Sequence, residues 1–215
     1  MISLKDVTVS YRAGGNRIDV LSNVSVDFEP GVNIGILGPR GCGKSTLMRL
    51  LGSHIKPSSG RVHRSGRVSW PMASMRPIAR TLSLRSNIEF LSTLYRVPAS
   101  RVATRVEEIA GLRGHLDTRA DRLPNEVMSR AVYAMCLAME FDYYLADEAL
   151  FLGDFRFRER AQGYLDEMRG RKTLIFATRS YLNVRRQCDI IYILNEGRLI
   201  KYDDVSQAIE AFKAL

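Results

Sequence analysis

Gly38-Pro39-Arg40-Gly41-Cys42-Gly43-Lys44-Ser45 decides the fold of this chain of 215 residues. The stretch fits the pattern G-x-x-x-x-G-K-[ST], whose glycines let backbone N–H groups turn toward a phosphate. Residues 32–37 before it are predicted to form a short buried strand, and residues 46–52 after it the start of a helix. Loop N–H groups and a helix N terminus together cradle phosphate oxygens. The sequence therefore predicts a nucleoside triphosphate site.

The residues of this loop have separate predicted roles. Lys44 is expected to reach the β- and γ-phosphates, and the hydroxyl of Ser45 to bind Mg²⁺. A glycine-rich turn without a ligand is the alternative, but strand, loop and helix all agree with the nucleotide site. Cys42 lies at the predicted helix N terminus and near Lys44, so we expect its thiolate to be stabilised. The predicted nucleotide-binding residues of the loop are Gly38, Pro39, Arg40, Gly41, Cys42, Gly43, Lys44, Ser45 and Thr46.

Composition limits the class of protein. No apolar run reaches the roughly 18 to 20 residues of a membrane span, and no charged-then-apolar leader opens the chain. The three cysteines lie far apart with no C-x-x-C spacing, so we expect neither a disulfide framework nor a zinc site, and a reducing cytoplasm. The net charge of +9 indicates an acidic partner or, equally, a solvated basic surface.

The rest of the chain alternates between strand and helix patterns, with no internal repeat. Strands that alternate with helices favour a mostly parallel sheet. Helical patterns cover 84–111, broken near Pro98, and 125–139. Strands are predicted at 2–11, 20–28, 142–147, 173–177 and 189–194, with turns at 13–16 and 195–197, and a strand pair punctuated by 57–60 and 65–66 that ends at Trp70-Pro71.

A second chemical motif is Tyr143-Tyr144-Leu145-Ala146-Asp147-Glu148. The apolar strand ends in two carboxylates, which places Asp147 beside the phosphate loop, where it would hold Mg²⁺ through water. Glu148 is then placed to polarise a water that attacks the γ-phosphate. An Asp-Glu pair alone is usually a solvated strand end; behind a phosphate loop it predicts catalysis.

Taken together, these motifs resemble an ATP-binding subunit of an ABC transporter. The segments 68–71, 141–144 and 153–157 (Val-Ser-Trp-Pro, Phe-Asp-Tyr-Tyr and Gly-Asp-Phe-Arg-Phe) resemble the branch that powers export of capsule polysaccharide and related glycans. The resemblance implies an α/β P-loop NTPase of ABC type, with a mostly parallel sheet core, an antiparallel β subdomain and a helical subdomain at about 72–140. It implies one ATP-binding domain over 1–215.

The resemblance also implies ligands, partners and location. ATP and Mg²⁺ would be the cofactors, with Tyr11 stacked on adenine, although a strand-end aromatic is an equal explanation of Tyr11. Gly153-Asp154 would contact a second ATP-binding subunit, in a homo- or heterodimer. A polytopic membrane subunit would carry the glycan, nucleic acid is not expected as a partner, and the protein would lie peripherally on the cytoplasmic face of the inner membrane.

Three positions depart from the family pattern. Ala79 stands where the family has a glutamine that touches Mg²⁺, and Arg179 stands where it has a histidine. The family's Ser-Gly-Gly-Gln is replaced within residues 123–127, which read Leu-Pro-Asn-Glu-Val. Pro124 has neither a hydroxyl nor an N–H group. Glu126 would repel the γ-phosphate by roughly 3 kcal/mol per unit charge at ~5 Å and an effective dielectric of ~20.

These departures leave ATP binding intact but bear on hydrolysis. Arg179 can bind a γ-phosphate bidentately but cannot carry a proton as histidine can. Asn125 and Glu126 have a second explanation, because Asn is a good helix cap and Glu suits a first turn.

We therefore expect an ABC-type ATPase that drives glycan export, with Glu148, Lys44 and Arg179 as catalytic residues. A non-hydrolysing, regulatory or structural subunit paired with an intact ATPase is the alternative. A basic ATPase that handles nucleic acid is weaker, because the glycan-exporter segments are present and no long coiled-coil insert is.

Overall fold

The structure, a computed structural model, describes residues 1–72, 74–148 and 153–215. The chain divides into two compact units, of which the first comprises Met1–Pro71, Asp142–Glu148 and Arg169–Leu215, and the second Met72–Phe141 and Ala149–Met168. Ala73, in the predicted helical segment 72–140, lies outside the described residues. Within the described ranges, no helix is long and apolar enough to cross a membrane.

The elements follow one another in the alternating order that the sequence predicts. The strands are β1 (Ile2–Ala13), β2 (Asn16–Phe28), β3 (Ile34–Leu37), β4 (Ser59–Arg64), β5 (Val68–Pro71), β6 (Tyr143–Asp147), β7 (Thr173–Thr178), β8 (Ile190–Asn195) and β9 (Arg198–Tyr202). The helices are α1 (Lys44–Leu51), α2 (Leu84–Tyr95), α3 (Ala99–Ala110), α4 (Asn125–Ala138), α5 (Phe155–Met168), α6 (Tyr181–Gln187) and α7 (Val205–Lys213), with a short 3₁₀ turn at Ala120–Arg122.

The first unit contains an antiparallel sheet in the order β2-β1-β4. Ala13 pairs with Asn16, so Gly14 and Gly15 alone make the turn, as predicted. Both glycines have positive φ, at 58° and 84°, which two-residue hairpin turns of this kind require. The predicted strands at 2–11 and 20–28 are confirmed.

The same unit contains a mixed sheet in the order β5-β6-β7-β3-β8-β9. The strands run parallel except β9, which pairs antiparallel with β8 across the predicted turn at 195–197. Every residue of β3 and β7 is buried, as expected for parallel strands covered on both faces. The carboxyl ends of β3, β6 and β7 therefore meet at one edge, where doubly wound sheets bind ligands.

One prediction about the strands is wrong. β4 and β5 were expected to pair with each other, but β4 pairs with β1 and β5 pairs with β6. The chain crosses between the sheets at Gly66, whose φ of 117° is open only to glycine, and the Arg67 N–H donates to Asp142 Oδ2 at 2.8 Å. The short gap between the strands suggested a hairpin, whereas burial of β5 in the parallel sheet decided the pairing.

The second unit is helical, and the predicted helices at 84–111 and 125–139 are confirmed. Its helix α3 packs against α2, α4 and α5. The chain breaks between α2 and α3 at Arg96–Pro98, as the proline predicted. Pro124, in an extended conformation, occupies the position before α4, and Asn125 is already helical. The predicted capping role of Asn125 is therefore wrong, while Glu126 does lie in the first turn.

Candidate functional site

One cleft in the first unit unites the predicted phosphate loop with residues far away in sequence. Its volume is about 590 Å³. The loop follows β3, Asp147 ends β6, and Arg179 follows β7, so the parallel sheet brings them to one edge. The cleft is lined by Val20, Arg40, Gly41, Gly43, Lys44, Ser45, Thr46, Asp147, Glu148 and Arg179.

Glycine is required in the loop by backbone conformation and by close packing. Gly41 and Gly43 have φ of 83° and 108°, where L side chains are strained. A Cβ on Gly38 would collide with the carbonyl oxygen of Leu194 and lie 2.5 Å from the Cys42 sulfur. The loop can therefore keep this shape only with glycine at these three positions.

The start of α1 lies at the cleft and has N–H groups that no helix carbonyl can accept from. The first intrahelical bond runs from the Leu47 N–H to the Gly43 oxygen at 2.9 Å. The N–H groups of Lys44, Ser45 and Thr46 precede it and have no carbonyl partner within the helix. No side chain caps this helix. A phosphate would satisfy these donors and interact favourably with the positive end of the helix dipole.

The ammonium of Lys44 is folded back onto its own loop. The side chain is largely buried, at 7% exposure of the residue. Its Nζ donates to the carbonyl oxygens of Gly38 at 2.7 Å and Pro39 at 2.9 Å. The positive charge is therefore already placed at the loop. A phosphate bound here would replace some of these carbonyl oxygens as the acceptor of the ammonium.

The Cys42 thiol behaves differently from the expectation. Burial raises its pKa above the ordinary value, while the nearby Lys44 charge opposes that rise without cancelling it. The predicted stabilisation of the thiolate is therefore wrong in sign. Desolvation of a half-buried thiol outweighs one neighbouring cation in this loop.

The carboxylate of Glu148 is held by two side chains, one from the last residue of β7 and one from the residue after it. Oε2 accepts a hydrogen bond from the Thr178 hydroxyl at 3.0 Å, and Oε1 pairs with Arg179 Nε at 3.3 Å. The Glu148 N–H donates to the Ala177 oxygen at 2.8 Å, and its φ is 57°. Sequence reasoning did not identify Thr178 or Val20 as residues of this site, because neither belongs to a recognisable motif.

The donor set of the cleft fits Mg²⁺ bound together with a nucleotide. Ser45 offers a hydroxyl and Asp147 a carboxylate at the same cleft. Magnesium usually keeps several waters and takes one or two protein ligands plus phosphate oxygens, so two donors suffice. Among the residues that the structure describes, no group of three or more His, Cys, Asp or Glu side chains could hold a metal by itself.

Tyr11 lies on β1 opposite Ile18, with 40% of its surface exposed. It is not among the residues that line the cleft, and Val20 is the apolar side chain found there. Adenine stacking by Tyr11 stays a prediction.

The second unit holds two of the three departures from the family pattern, Ala79 and the segment 123–127, whereas Arg179 belongs to the first unit. The Ala79 N–H donates to Asn87 Oδ1 at 2.8 Å, and the Ala79 oxygen accepts from Asn87 Nδ2 at 3.0 Å. Ala79 is thereby fixed through its backbone, and its methyl group offers no ligand. The Asp154 carboxylate accepts the Phe157 N–H at 2.8 Å and pairs with Arg130 at 3.0 Å, and both contacts lower its pKa.

Another cleft of the first unit, of about 580 Å³, contains none of the predicted residues. Its charged lining carries both signs, Lys5 and Lys201 with Asp27 and Glu29. It has no glycine-rich loop to gather N–H groups, so the phosphate-loop cleft is the candidate site.

Known proteins resemble this chain over its whole length. Residues 21–150 match the family model for ABC transporters. The chain is 32% identical to the capsule polysaccharide export ATP-binding protein CtrD of Neisseria meningitidis serogroup B, over 100% of both chains. It is also 32% identical to the polysialic acid transport ATP-binding protein KpsT of Escherichia coli, over 99% of both.

A solved structure shares the fold. The dimeric post-hydrolysis state of the ATP-binding cassette MJ0796, bound to ADP and Pi, superposes with a TM-score of 0.80 at 23% identity. The match covers 94% of this chain and 98% of that one. The family match at 21–150 includes the phosphate loop, Asp147 and Glu148, while Arg179 lies beyond it but within the span of both curated relatives.

Proposed function

The chain belongs to the ABC transporter family, and from that premise we propose that it is the ATP-binding subunit of an exporter for capsule polysaccharide or a related glycan. The observation that carries the ATPase part is the single cleft shared by the phosphate loop, Asp147, Glu148 and Arg179. The glycan class rests on the full-length similarity to proteins named for capsule polysaccharide export and polysialic acid transport.

The nucleotide lies with its phosphates over the loop. Backbone N–H groups of residues 41–46 and the Lys44 ammonium surround the β- and γ-phosphates. Ser45 and Asp147 would hold Mg²⁺, Asp147 through water, and the ion would offset charge on the phosphate oxygens. Tyr11 stacks on adenine.

Hydrolysis follows from the placement of Glu148. A water attacks the γ-phosphorus in line with the leaving oxygen, forming one P–O bond as the bond to the β-phosphate oxygen breaks. Glu148 accepts the proton that the water loses. Lys44 and Arg179 offset the charge that develops on the transferred group, and ADP and phosphate leave.

The protein acts as one ATP-binding domain over 1–215, with a helical part at about 72–140. It works as a dimer with a second ATP-binding subunit, contacted by Gly153-Asp154, and drives a polytopic membrane subunit that carries the glycan. Its place is peripheral, at the cytoplasmic face of the inner membrane. Nucleic acid is not a partner.

The competing hypothesis is a non-hydrolysing subunit paired with an intact ATPase. The altered start of α4 motivates it, because Pro124 offers no hydroxyl or N–H group and Glu126 brings a negative charge to the first turn. Ala79, which presents only a methyl group, motivates it as well.

Phosphate release separates the two hypotheses. The chain is measured with and without its membrane subunit in proteoliposomes, beside Lys44→Ala and Glu148→Gln. We expect release by the wild type with the membrane subunit, and loss of release in both variants. ATP binding without release under any of these conditions would refute the ATPase and support the non-hydrolysing subunit.

A further inference from the structure

Among the residues that the structure describes, the hydroxyl of Thr178 donates to the Glu148 carboxylate. Thr178 is fully buried at the end of β7. Its Oγ1 accepts the Ser180 N–H at 3.0 Å and lies 3.0 Å from Glu148 Oε2. A hydroxyl carries a single proton, and Glu148 is an acceptor when ionised. The Ser180 contact occupies one acceptor position and directs that proton to the carboxylate.

The backbone of Glu148 supports the same orientation. Its φ of 57° is uncommon for a residue with a side chain, and such conformations persist where the surroundings determine them. The Glu148 N–H is bonded to the Ala177 oxygen on the neighbouring strand β7. Ala177 and Thr178 therefore hold both the backbone and one carboxylate oxygen of Glu148 from the same strand.

Arg179 contacts the other carboxylate oxygen of Glu148, Oε1, at a longer distance. Its side chain is 61% exposed and makes the contact through Nε at 3.3 Å. Arginine has five N–H donors, so the guanidinium keeps donors for an anion. Since Arg179 lines the cleft that contains the phosphate loop, a γ-phosphate with greater negative charge than one carboxylate would compete for it.

We propose that Thr178 is a positioning residue that keeps Glu148 in place for attack by water, while Arg179 exchanges from Glu148 to the γ-phosphate when ATP binds. The exchange frees Oε1 to accept the proton of the water, and the Thr178 bond keeps Oε2 fixed. The inference rests on the proposed function, because it concerns the carboxylate that this function assigns to hydrolysis.

Two variants of Thr178 test the positioning role. Thr178→Val keeps the shape and removes the hydroxyl, whereas Thr178→Ser keeps the hydroxyl. We expect Thr178→Val to lower kcat about tenfold or more with the ATP Kd within about twofold, as for a contact used in the transition state. Thr178→Ser should stay within about threefold of the wild-type kcat.

Equal loss of kcat in the two Thr178 variants would overturn the positioning role. Thermal melting of each variant shows whether the fold is intact. If Thr178→Val fails to fold, the result for Thr178→Ser decides, because a loss of kcat in a variant that keeps the hydroxyl contradicts the proposal.

The exchange is tested by binding alone, with calorimetry of ATP·Mg²⁺ and ADP·Mg²⁺. Glu148→Gln weakens the ion pair, so it should raise ATP affinity about threefold in the wild-type background, the scale of an exposed pair, and leave ADP affinity unchanged. In Arg179→Ala the same substitution should give a smaller gain, because it removes only the repulsion between Glu148 and the γ-phosphate and no ion pair. If Arg179 does not exchange, Glu148→Gln will raise ATP affinity in Arg179→Ala by the same factor as in the wild-type background or by more. In Arg179→Ala no guanidinium screens the repulsion between Glu148 and the γ-phosphate.

The two failures are distinguishable. A wild type that does not bind ATP, or binds it as well with Lys44→Ala, contradicts the proposed function. ATP binding that depends on Lys44, with an equal Glu148→Gln gain in both backgrounds, contradicts only the exchange.

Discussion

Replacing Lys44 with alanine should weaken binding of ATP·Mg²⁺ at least tenfold. An ammonium about 4 Å from one phosphate charge gains roughly 4 kcal/mol at an effective dielectric of about 20. The structure shows what opposes this gain, because Nζ already donates to the Gly38 and Pro39 oxygens at 2.7 and 2.9 Å. Giving up one of these bonds, which have a charged donor, costs roughly 2.6 kcal/mol. The remainder is about 1.4 kcal/mol, or a factor of ten in Kd.

Calorimetry with ATP·Mg²⁺ on the folded proteins measures this difference. Lys44→Met is the matched control for packing, because it keeps an unbranched side chain without the charge, and it should lose as much affinity as Lys44→Ala. Lys56→Ala removes an exposed lysine outside the loop and should leave the Kd unchanged. Equal affinities of wild type and Lys44→Ala would refute the assignment of the phosphate loop.

Two further predictions concern the loop thiol and the start of α4. Cys42 should be alkylated faster than the buried Cys136 and Cys188, and its rate should increase as pH rises toward its raised pKa. Bound ATP·Mg²⁺ should protect it. Mass-spectrometric labelling that finds Cys42 the slowest would contradict this. Replacing Pro124-Asn125-Glu126 by Ser-Gly-Gly in a Glu148→Gln background should strengthen ATP-dependent dimerisation, measured by sedimentation. The change removes the negative charge of Glu126 and restores the hydroxyl and N–H donors that Pro124 lacks. Unchanged dimerisation would show that this segment does not weaken closure of the dimer.

Patterns with a local physical cause were predictable from the chain. The spacing of glycines in 38–45 follows from backbone φ and close approach, and both occur where the motif requires them. The Gly14-Gly15 turn and the break near Pro98 are equally local, and both are confirmed. Runs of apolar residues predicted β6, β7 and β8, because parallel strands bury both faces.

Predictions failed where two effects opposed each other at one residue. Asn125 is a good cap by propensity, but Pro124 holds the extended conformation before α4 and leaves Asn125 inside the helix. The charge of Lys44 was expected to lower the pKa of Cys42, but burial of the thiol opposes it more strongly. Both outcomes depend on packing that sequence spacing does not report.

The sequence by itself determined the family, the phosphate loop and the carboxylates at the end of β6, because each depends on residue types at fixed short spacings. Only the tertiary structure decided that β4 and β5 join different sheets and that Thr178 and Arg179 hold the two oxygens of Glu148. The reason is that residues at 148 and 178 meet through the pairing of β6 with β7. The register of parallel strands is set by burial across the whole sheet, which no local pattern encodes.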